Sequence, residues 1–331
     1  MVDENTILTE KYRPNSLSEV IGQENITNLL KAFVKTSKIP HMLFVGPPGT
    51  GKTAAAVALA KELFGDDYKQ SFKEINASDE RGIPIVRGQI KTIASMEPLK
   101  LGFKIIFLDE ADELTNDAQG ALRRTIERAS ETCRFIFSCN YPNKIIDPIA
   151  DRLVEFRFKP LKPIDMKFLL DKVSKEEQLN LKPEVIMTIS VLSNGSMRRA
   201  LSLLDVIKSA ELKDVTEEKI YELVNWVDET SIRHLIGACI NGDFDAVSRR
   251  IDDILFNKGY NSKEVLQVLY RVIREAKSIP DGAKLEIIEH IGLTDYRLAV
   301  KGTPEIQMKT LVAFMMKVFQ KYIPKPKEVQ E

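Results

Sequence analysis

Apolar residues along this chain follow two rhythms. Between Met42 and Phe158 they gather in short segments: Met42-Leu43-Phe44-Val45, Phe72-Lys73-Glu74-Ile75, Ile105-Ile106-Phe107-Leu108 and Phe135-Ile136-Phe137. Segments this short, bounded by turn or polar residues and separated by helix-length stretches, predict a parallel sheet covered on both faces. After Pro160 the β-branched runs thin out, and apolar residues recur at helical spacing, as in Met166, Phe168, Leu169, Leu170 and Val173. Pro160 and Pro163 mark a boundary there. A second change comes at residues 226–230, after which 231–240, 244–256, 263–276, 283–300 and 305–322 all read as amphipathic helices. The C-terminal third is therefore expected to be all-α. The tail Pro324-Lys325-Pro326-Lys327 and the polar residues after it lack an apolar face and are expected to fray.

Composition narrows the function classes. The chain has 331 residues, 44% hydrophobic and 29% charged, as in an ordinary globular chain of two or three domains. Its 48 basic side chains balance 48 acidic ones, so any nucleic-acid contact must come from a local basic patch. The polar, partly acidic start (residues 1–9) fits neither a secretory leader nor an Arg-rich transit peptide. No apolar stretch approaches the roughly 18 residues of a membrane span, so a cytoplasmic protein is expected. Cys133, Cys139 and Cys239 lack the paired spacing of a zinc site and the density of a disulfide scaffold, and are expected to be reduced packing residues. The three histidines are dispersed, and no Ser/His/Asp or Cys/His set stands out.

The strongest local signal is Gly46-Pro47-Pro48-Gly49-Thr50-Gly51-Lys52-Thr53, which fits G-x4-G-K-[ST] and lies between an apolar strand and the Ala-rich stretch 54–64. The glycines let backbone N–H groups turn inward around phosphate oxygens, and the start of the following helix adds donors and partial positive charge. Lys52 is then expected to contact the β- and γ-phosphates of ATP, and Thr53 to ligate Mg²⁺. The run Ile105-Ile106-Phe107-Leu108-Asp109-Glu110-Ala111-Asp112 ends a buried-type strand with acids at its carboxyl end, where open α/β sheets hold their ligands. Asp109 is expected in the Mg²⁺ shell, and Glu110 to polarise the attacking water. Asp112 and Glu113 are expected to cap or solvate the next helix.

With these motifs the chain resembles the AAA+ ATPases, and within them the replication factor C small subunits of archaeal type, over nearly its whole length. Glu10-Lys11-Tyr12-Arg13-Pro14 and Val20-Ile21-Gly22-Gln23 resemble the adenine-side motifs, which implies that Tyr12, Arg13, Val20 and Ile21 line the base pocket; simple packing of Tyr12 beside a proline is the other reading. Asn76-Ala77-Ser78-Asp79-Glu80-Arg81-Gly82 also follows the family. Ser138-Cys139-Asn140 resembles sensor 1, which implies that Asn140 orients water or senses the γ-phosphate. Gly195-Ser196-Met197-Arg198-Arg199-Ala200-Leu201 resembles sensor 2, implying that Arg198 reaches the γ-phosphate from a helical lid. Thr294-Asp295-Tyr296-Arg297-Leu298 and Ile306-Gln307 resemble the collar helices through which such subunits assemble.

The implied architecture is an α/β P-loop AAA+ domain with a parallel sheet (residues 1–162), a small helical lid domain (163–228), an all-α collar domain for oligomerisation (229–323) and a flexible tail (324–331). The implied function is that of an ATPase subunit that opens a sliding clamp of the PCNA type and loads it onto primer–template DNA, together with a large subunit and other small subunits. Some positions depart from the family pattern. The expected arginine finger Arg152 stands in Asp151-Arg152-Leu153 where Ser-Arg-Cys is usual, so Asp151 offers a carboxylate that could pair with Arg152 and weaken its reach, which the sequence leaves open. Ser196 and Ser202 replace the usual aspartate and asparagine, and Leu8 lies near where a tryptophan is often found. These departures keep a second function open, an ATP-binding structural subunit with weak hydrolysis. A DEAD-type helicase would rest on residues 109–112 alone and lacks a second RecA-like core.

Arg81, Arg87, Lys91, Lys100 and Lys104 stand against one acid, Glu97, between residues 81 and 104. Arg87 and Lys91, four apart, would share a helix face and meet phosphates of one strand, although a solvated helix face would carry the same charges. The family resemblance implies that Arg81, Arg87 and Lys91 face DNA, with contacts to phosphate and no base-reading element. Arg123-Arg124 suits equally a coupling of the ATP site to DNA or to a neighbour and an ordinary surface helix.

Overall fold

The computed structural model describes residues 6–78, 82–97, 101–224 and 226–323, with only the backbone described at 85–87. The chain divides into two compact units, Met1–Ile220 and Tyr221–Glu331.

The first unit is built on five parallel strands, β1 (Met42–Val45), β2 (Phe72–Asn76), β3 (Lys104–Asp109), β4 (Cys133–Cys139) and β5 (Val154–Arg157), in the order β2-β3-β4-β1-β5. Successive side chains in a strand point to opposite faces, which divides the apolar runs between two cores. Leu43, Val45, Ile106, Leu108, Phe135 and Phe137 pack with Leu122 and Ile126 of the helix Asn116–Arg128. Met42, Phe44, Ile105, Phe107 and Ile136 pack on the opposite face with the helices Glu24–Thr36 and Lys52–Phe64. The Ala-rich sequence of Lys52–Phe64 lets that helix lie close on the sheet, and eight of its 13 residues are buried.

The strand β5 has no counterpart among the predicted segments. It is an edge strand of four residues in which only Phe156 is buried, so Glu155 and Arg157 interrupt the apolar signal. Beyond it run the helices Pro163–Glu176, Pro183–Leu192 and Met197–Ser209. The first two open on proline, whose missing N–H costs nothing in a first turn, and the third is capped by the Ser196 side chain accepting from the Arg199 amide.

The second unit is a helical bundle of Glu229–Asn241, Phe244–Asp252, Ser262–Glu275, Asp281–Ala299 and Pro304–Tyr322. Asp228, Asp243 and Asn261 cap three of these helices by accepting backbone N–H groups, so they begin at the expected residue or up to two residues before it. Leu235, Cys239, Leu269, Ile273, Ile287, Leu311, Met315 and Phe319 meet in one core. The expected helix over 244–256 holds α geometry only to Asp252 and finishes in a wider π-type turn, Asp253–Asn257.

Phe137 is fully buried at the centre of the sheet. Phe137→Ala is expected to destabilise the first unit by about 3–5 kcal/mol, read as a lower urea midpoint at unchanged slope.

Candidate nucleotide site

In the first unit, the carboxyl ends of β1, β3 and β4 open into one cleft of about 320 Å³. At this edge the chain leaves β1 for β2 on one side of the sheet and later crosses to β5 on the other, a topological switch point where open α/β sheets bind ligands. Pro48, Gly49, Thr50, Gly51, Lys52 and Thr53 form its floor; Asp109, Glu110 and Asn140 stand at one wall, and Arg198 at another. Tyr12, Arg13, Val20 and Ile21 line the same cleft. Gly46 and Pro47 contribute through their carbonyls. The motifs expected to make one site thus come together in one cavity.

The loop itself explains the glycines. Gly51 holds φ +100°, and a side chain at Gly49 (φ +76°) would put its Cβ 2.0 Å from the Ser196 Oγ. The Gly49 carbonyl accepts from the Met197 amide at 3.0 Å, so the segment carrying Arg198 rests directly on the phosphate loop. No side chain caps the start of Lys52–Phe64, leaving its first N–H groups to the cleft.

Lys52 is 9% exposed, and its Nζ donates to the carbonyls of Gly46 (2.5 Å) and Pro47 (3.0 Å) and to Asn140 Oδ1 (3.0 Å). Burial pushes its ammonium down from the ordinary lysine range; Asp109 and Asp112 oppose that shift, and the nearby charge of Arg198 reinforces it. Two cationic residues lining one cavity suit a polyanion. Thr53 Oγ1 donates to Asp109 Oδ2 at 2.8 Å, which sets two hard oxygen donors side by side, the donor chemistry that Mg²⁺ prefers. Glu110 adopts a left-handed backbone (φ 52°), an uncommon state for a non-glycine residue, and its amide donates to Asp109 Oδ1 at 3.0 Å.

Asp112 does not cap or solvate a helix as expected. It is 5% exposed, and its Oδ2 accepts from the amides of Asn140 (3.3 Å) and Tyr141 (3.1 Å), fixing the end of β4 where Asn140 leaves for the cleft. Glu113 instead pairs with Lys144 at 3.2 Å. Gln23, which the sequence marks only as the last residue of the motif over residues 20–23, is 5% exposed and ties the loop to the strand ends. Its Nε2 donates to the carbonyls of Thr50 (3.2 Å) and Lys159 (2.8 Å), and its Oε1 accepts from the Lys159 amide (3.3 Å). No local spacing announces either role, because each depends on strands distant in sequence.

Arg152 lies outside the lining of this cleft. Its partner is not Asp151: the Nη2 donates to Glu127 Oε1 at 2.7 Å, and the Nη1 to the Pro148 carbonyl. Glu127 is shared with Arg123, whose Nε is 3.1 Å away, and hydrogen bonds from Arg123 and then Arg152 hold its carboxyl below the usual range. Lys104 does not belong to a surface patch. It is 5% exposed, and its ammonium donates to the carbonyls of Ile93 (3.0 Å) and Met96, anchoring the short helix Lys91–Ser95 to the sheet. Lys91 is exposed, whereas Arg81, Lys100 and the Arg87 side chain lie outside the described residues. The cysteines are buried, and burial pushes the thiols of Cys139 and Cys239 up to about 12.

A parallel sheet with a glycine-rich phosphate loop at its switch point, acids at the end of β3, one strand removed from β1, and an arginine from a following helical layer define a nucleotide-binding ATP hydrolase of the AAA+ class. The model of the ATPase family associated with various cellular activities (AAA) matches residues 42–161, and the replication factor C C-terminal domain model matches residues 227–314. The chain is 44% identical over 308 residues to the replication factor C small subunit of Picrophilus torridus, covering 93% of this chain and 96% of the relative. It is 41% identical over 308 residues to that of Thermoplasma volcanium, with the same coverage. The chain belongs to the replication factor C small subunit family. Among solved structures, the RuvB Holliday junction branch migration motor of Thermotoga maritima has a similar fold, with a TM-score of 0.55 at 18% identity over 77% of this chain and 87% of that one. Among the described residues no helix is long and apolar enough to cross a membrane.

Asp112→Ala would leave two partly buried amides without their acceptor, at a cost of about 1 kcal/mol. It is expected to lower both the thermal midpoint and ATP turnover, whereas Asp112→Asn, which keeps an oxygen there, is expected to retain most of both. Matched melts and turnover assays check this.

Proposed function

We propose that this chain is an ATPase subunit of a sliding-clamp loader. It would use ATP and Mg²⁺ to grip an open clamp of the PCNA type and release it on primer–template DNA, in a ring with a large subunit and further small subunits. The observation that carries this reading is the convergence of Lys52, the Thr53–Asp109 pair, Glu110, Asn140 and Arg198 on one cleft, in a chain of the replication factor C small subunit family. Its division of labour is a nucleotide-binding domain over 1–162, a lid over 163–228 and a collar over 229–323.

In the cleft, Lys52 exchanges its carbonyl partners for β- and γ-phosphate oxygens, and the free N–H groups at the start of Lys52–Phe64 hold the remaining charge. Thr53 and Asp109 hold Mg²⁺, which when bound neutralises phosphate charge. Glu110 accepts a proton from the attacking water, and Asn140, itself fixed through Asp112, orients that water. Water adds at the γ-phosphorus as the bond to the β-phosphate oxygen breaks, giving ADP and phosphate. Arg198 meets the γ-phosphate from the lid, so closing the lid and completing the site are one event. Tyr12, Arg13, Val20 and Ile21 receive the adenine end.

Arg152 would serve the site of a neighbouring subunit, for which it must exchange Glu127 for phosphate. Tyr296 (65% exposed) and Ile306 (59%) are available to neighbouring collars. Arg81, Arg87 and Lys91 would meet DNA phosphates, so that binding weakens as salt rises and carries no sequence preference. The engagement of Arg152 by Glu127 favours, as a second reading, an interaction subunit that binds ATP and hydrolyses it weakly.

Turnover by the chain with its large subunit and clamp is expected to rise when primed DNA is added. Glu110→Gln should lower the stimulated rate by about a hundredfold or more while nucleotide still binds. An unchanged rate in Glu110→Gln contradicts the assigned base. In the same complex Arg152→Ala should lower stimulated turnover by at least about tenfold, and an unchanged rate would favour the interaction-subunit reading.

A further inference from the structure

The carboxylate of Glu177 is nearly buried, with 4% of its side chain exposed, at the end of the helix Pro163–Glu176. It takes three donors: Lys11 Nζ and Tyr12 OH on Oε1, each at 2.6 Å, and Lys208 Nζ on Oε2 at 2.7 Å. Two of these come from the N-terminal strap and one from the helix Met197–Ser209, which also carries Arg198. On that helix, Asp205 accepts the Leu8 amide on both carboxylate oxygens, at 3.0 and 3.1 Å. Leu8 itself is fully buried.

The other end of the strap is held elsewhere. Asn15 Oδ1 accepts from Lys61 Nζ at 2.6 Å, and the Leu17 amide donates to Glu62 Oε1 at 2.7 Å, both on the phosphate-loop helix Lys52–Phe64. The stretch between these anchorages, including Tyr12, Arg13 and Pro14, lines the same cleft as the phosphate loop. A short chain pinned to two different walls cannot keep its shape if either wall moves.

We propose that Glu177 is a positioning residue that fastens the N-terminal strap to the lid helices, so that the lid sets the shape of the base end of the nucleotide site. This rests on the reading of the cleft as an ATP site and deepens it. Burial alone would raise the Glu177 carboxyl, but the hydrogen bonds from Lys11, Lys208 and Tyr12 outweigh it and hold it at about 2. The linkage follows: its contribution to stability is whole above the ordinary value of 4.5 and is lost as pH falls toward 2. At neutral pH the strap is therefore fastened by a full charge. Glu177 touches no phosphate-loop residue in these contacts, so its effect should be confined to ligands that carry a base.

The test compares two probes on the full-length chain, a fluorescent N-methylanthraniloyl-ADP and inorganic tripolyphosphate, the second read by competition. Glu177→Ala is expected to weaken the nucleotide about tenfold, the loss typical of a charge-assisted contact, while the tripolyphosphate constant stays within about twofold. Turnover should split likewise, with KM raised and kcat near its starting value. Lys11→Met changes a partly exposed side chain that folding tolerates, and should move the nucleotide constant the same way by less. Glu177→Asp should recover part of the affinity. Equal weakening of both probes, or no change in either, overturns the strap inference and leaves the nucleotide site standing. Failure of the unaltered chain to bind either probe overturns the nucleotide-site reading itself.

Discussion

An ammonium taken out of water must be met by oxygen atoms, and that requirement at Lys52 organises the first unit. Its three acceptors come from the end of β1 and from Asn140 just past β4, so the lysine is satisfied only when these neighbouring strands are in register and the loop between Gly46 and Lys52 is closed. A buried charge left with carbonyl oxygens alone is also poised to exchange them for phosphate oxygens of full negative charge. The same contacts that stabilise the loop therefore prepare it for its ligand.

The surrounding polar groups extend this logic outward. Asp112 fixes the chain at Asn140, Gln23 bridges Thr50 to Lys159, and the Gly49 carbonyl receives Met197. Each is a polar contact, wholly or partly shielded from water, between segments far apart in sequence, and each would be costly to leave half-made. Together they join the phosphate loop to the two strand ends and to the helix bearing Arg198. Glu177 and Asp205 continue the network to the N-terminal strap. By contrast Arg152 and Glu127 form a partly exposed pair, and an ion pair open to water can be exchanged at small cost.

What could be read from the sequence was what is local. The phosphate loop declares itself because strand, glycines, lysine and helix are contiguous, and β1, β3 and β4 because strands buried on both faces need unbroken apolar runs. The helices of the second unit followed from their apolar spacing, with ends shifted by caps. The edge strand β5 was missed because half of it faces water. Lys104 was misread because a charge count does not see the carbonyls of Ile93 and Met96 that take it into the interior. Asp112, Gln23 and Glu177 were invisible as site residues since their partners arrive only when the chain has folded. Asp151 was the nearest acid to Arg152 along the chain, but Glu127 is the one a helix brings beside it.

The most direct measurement of the central claim is calorimetric titration of the chain with a non-hydrolysable ATP analogue and Mg²⁺, beside the same titration of Lys52→Ala. One site per chain, weakened at least about tenfold by the substitution, is the predicted result. Equal affinity in the two proteins would contradict it, because Lys52 would then be a structural cation that never meets phosphate.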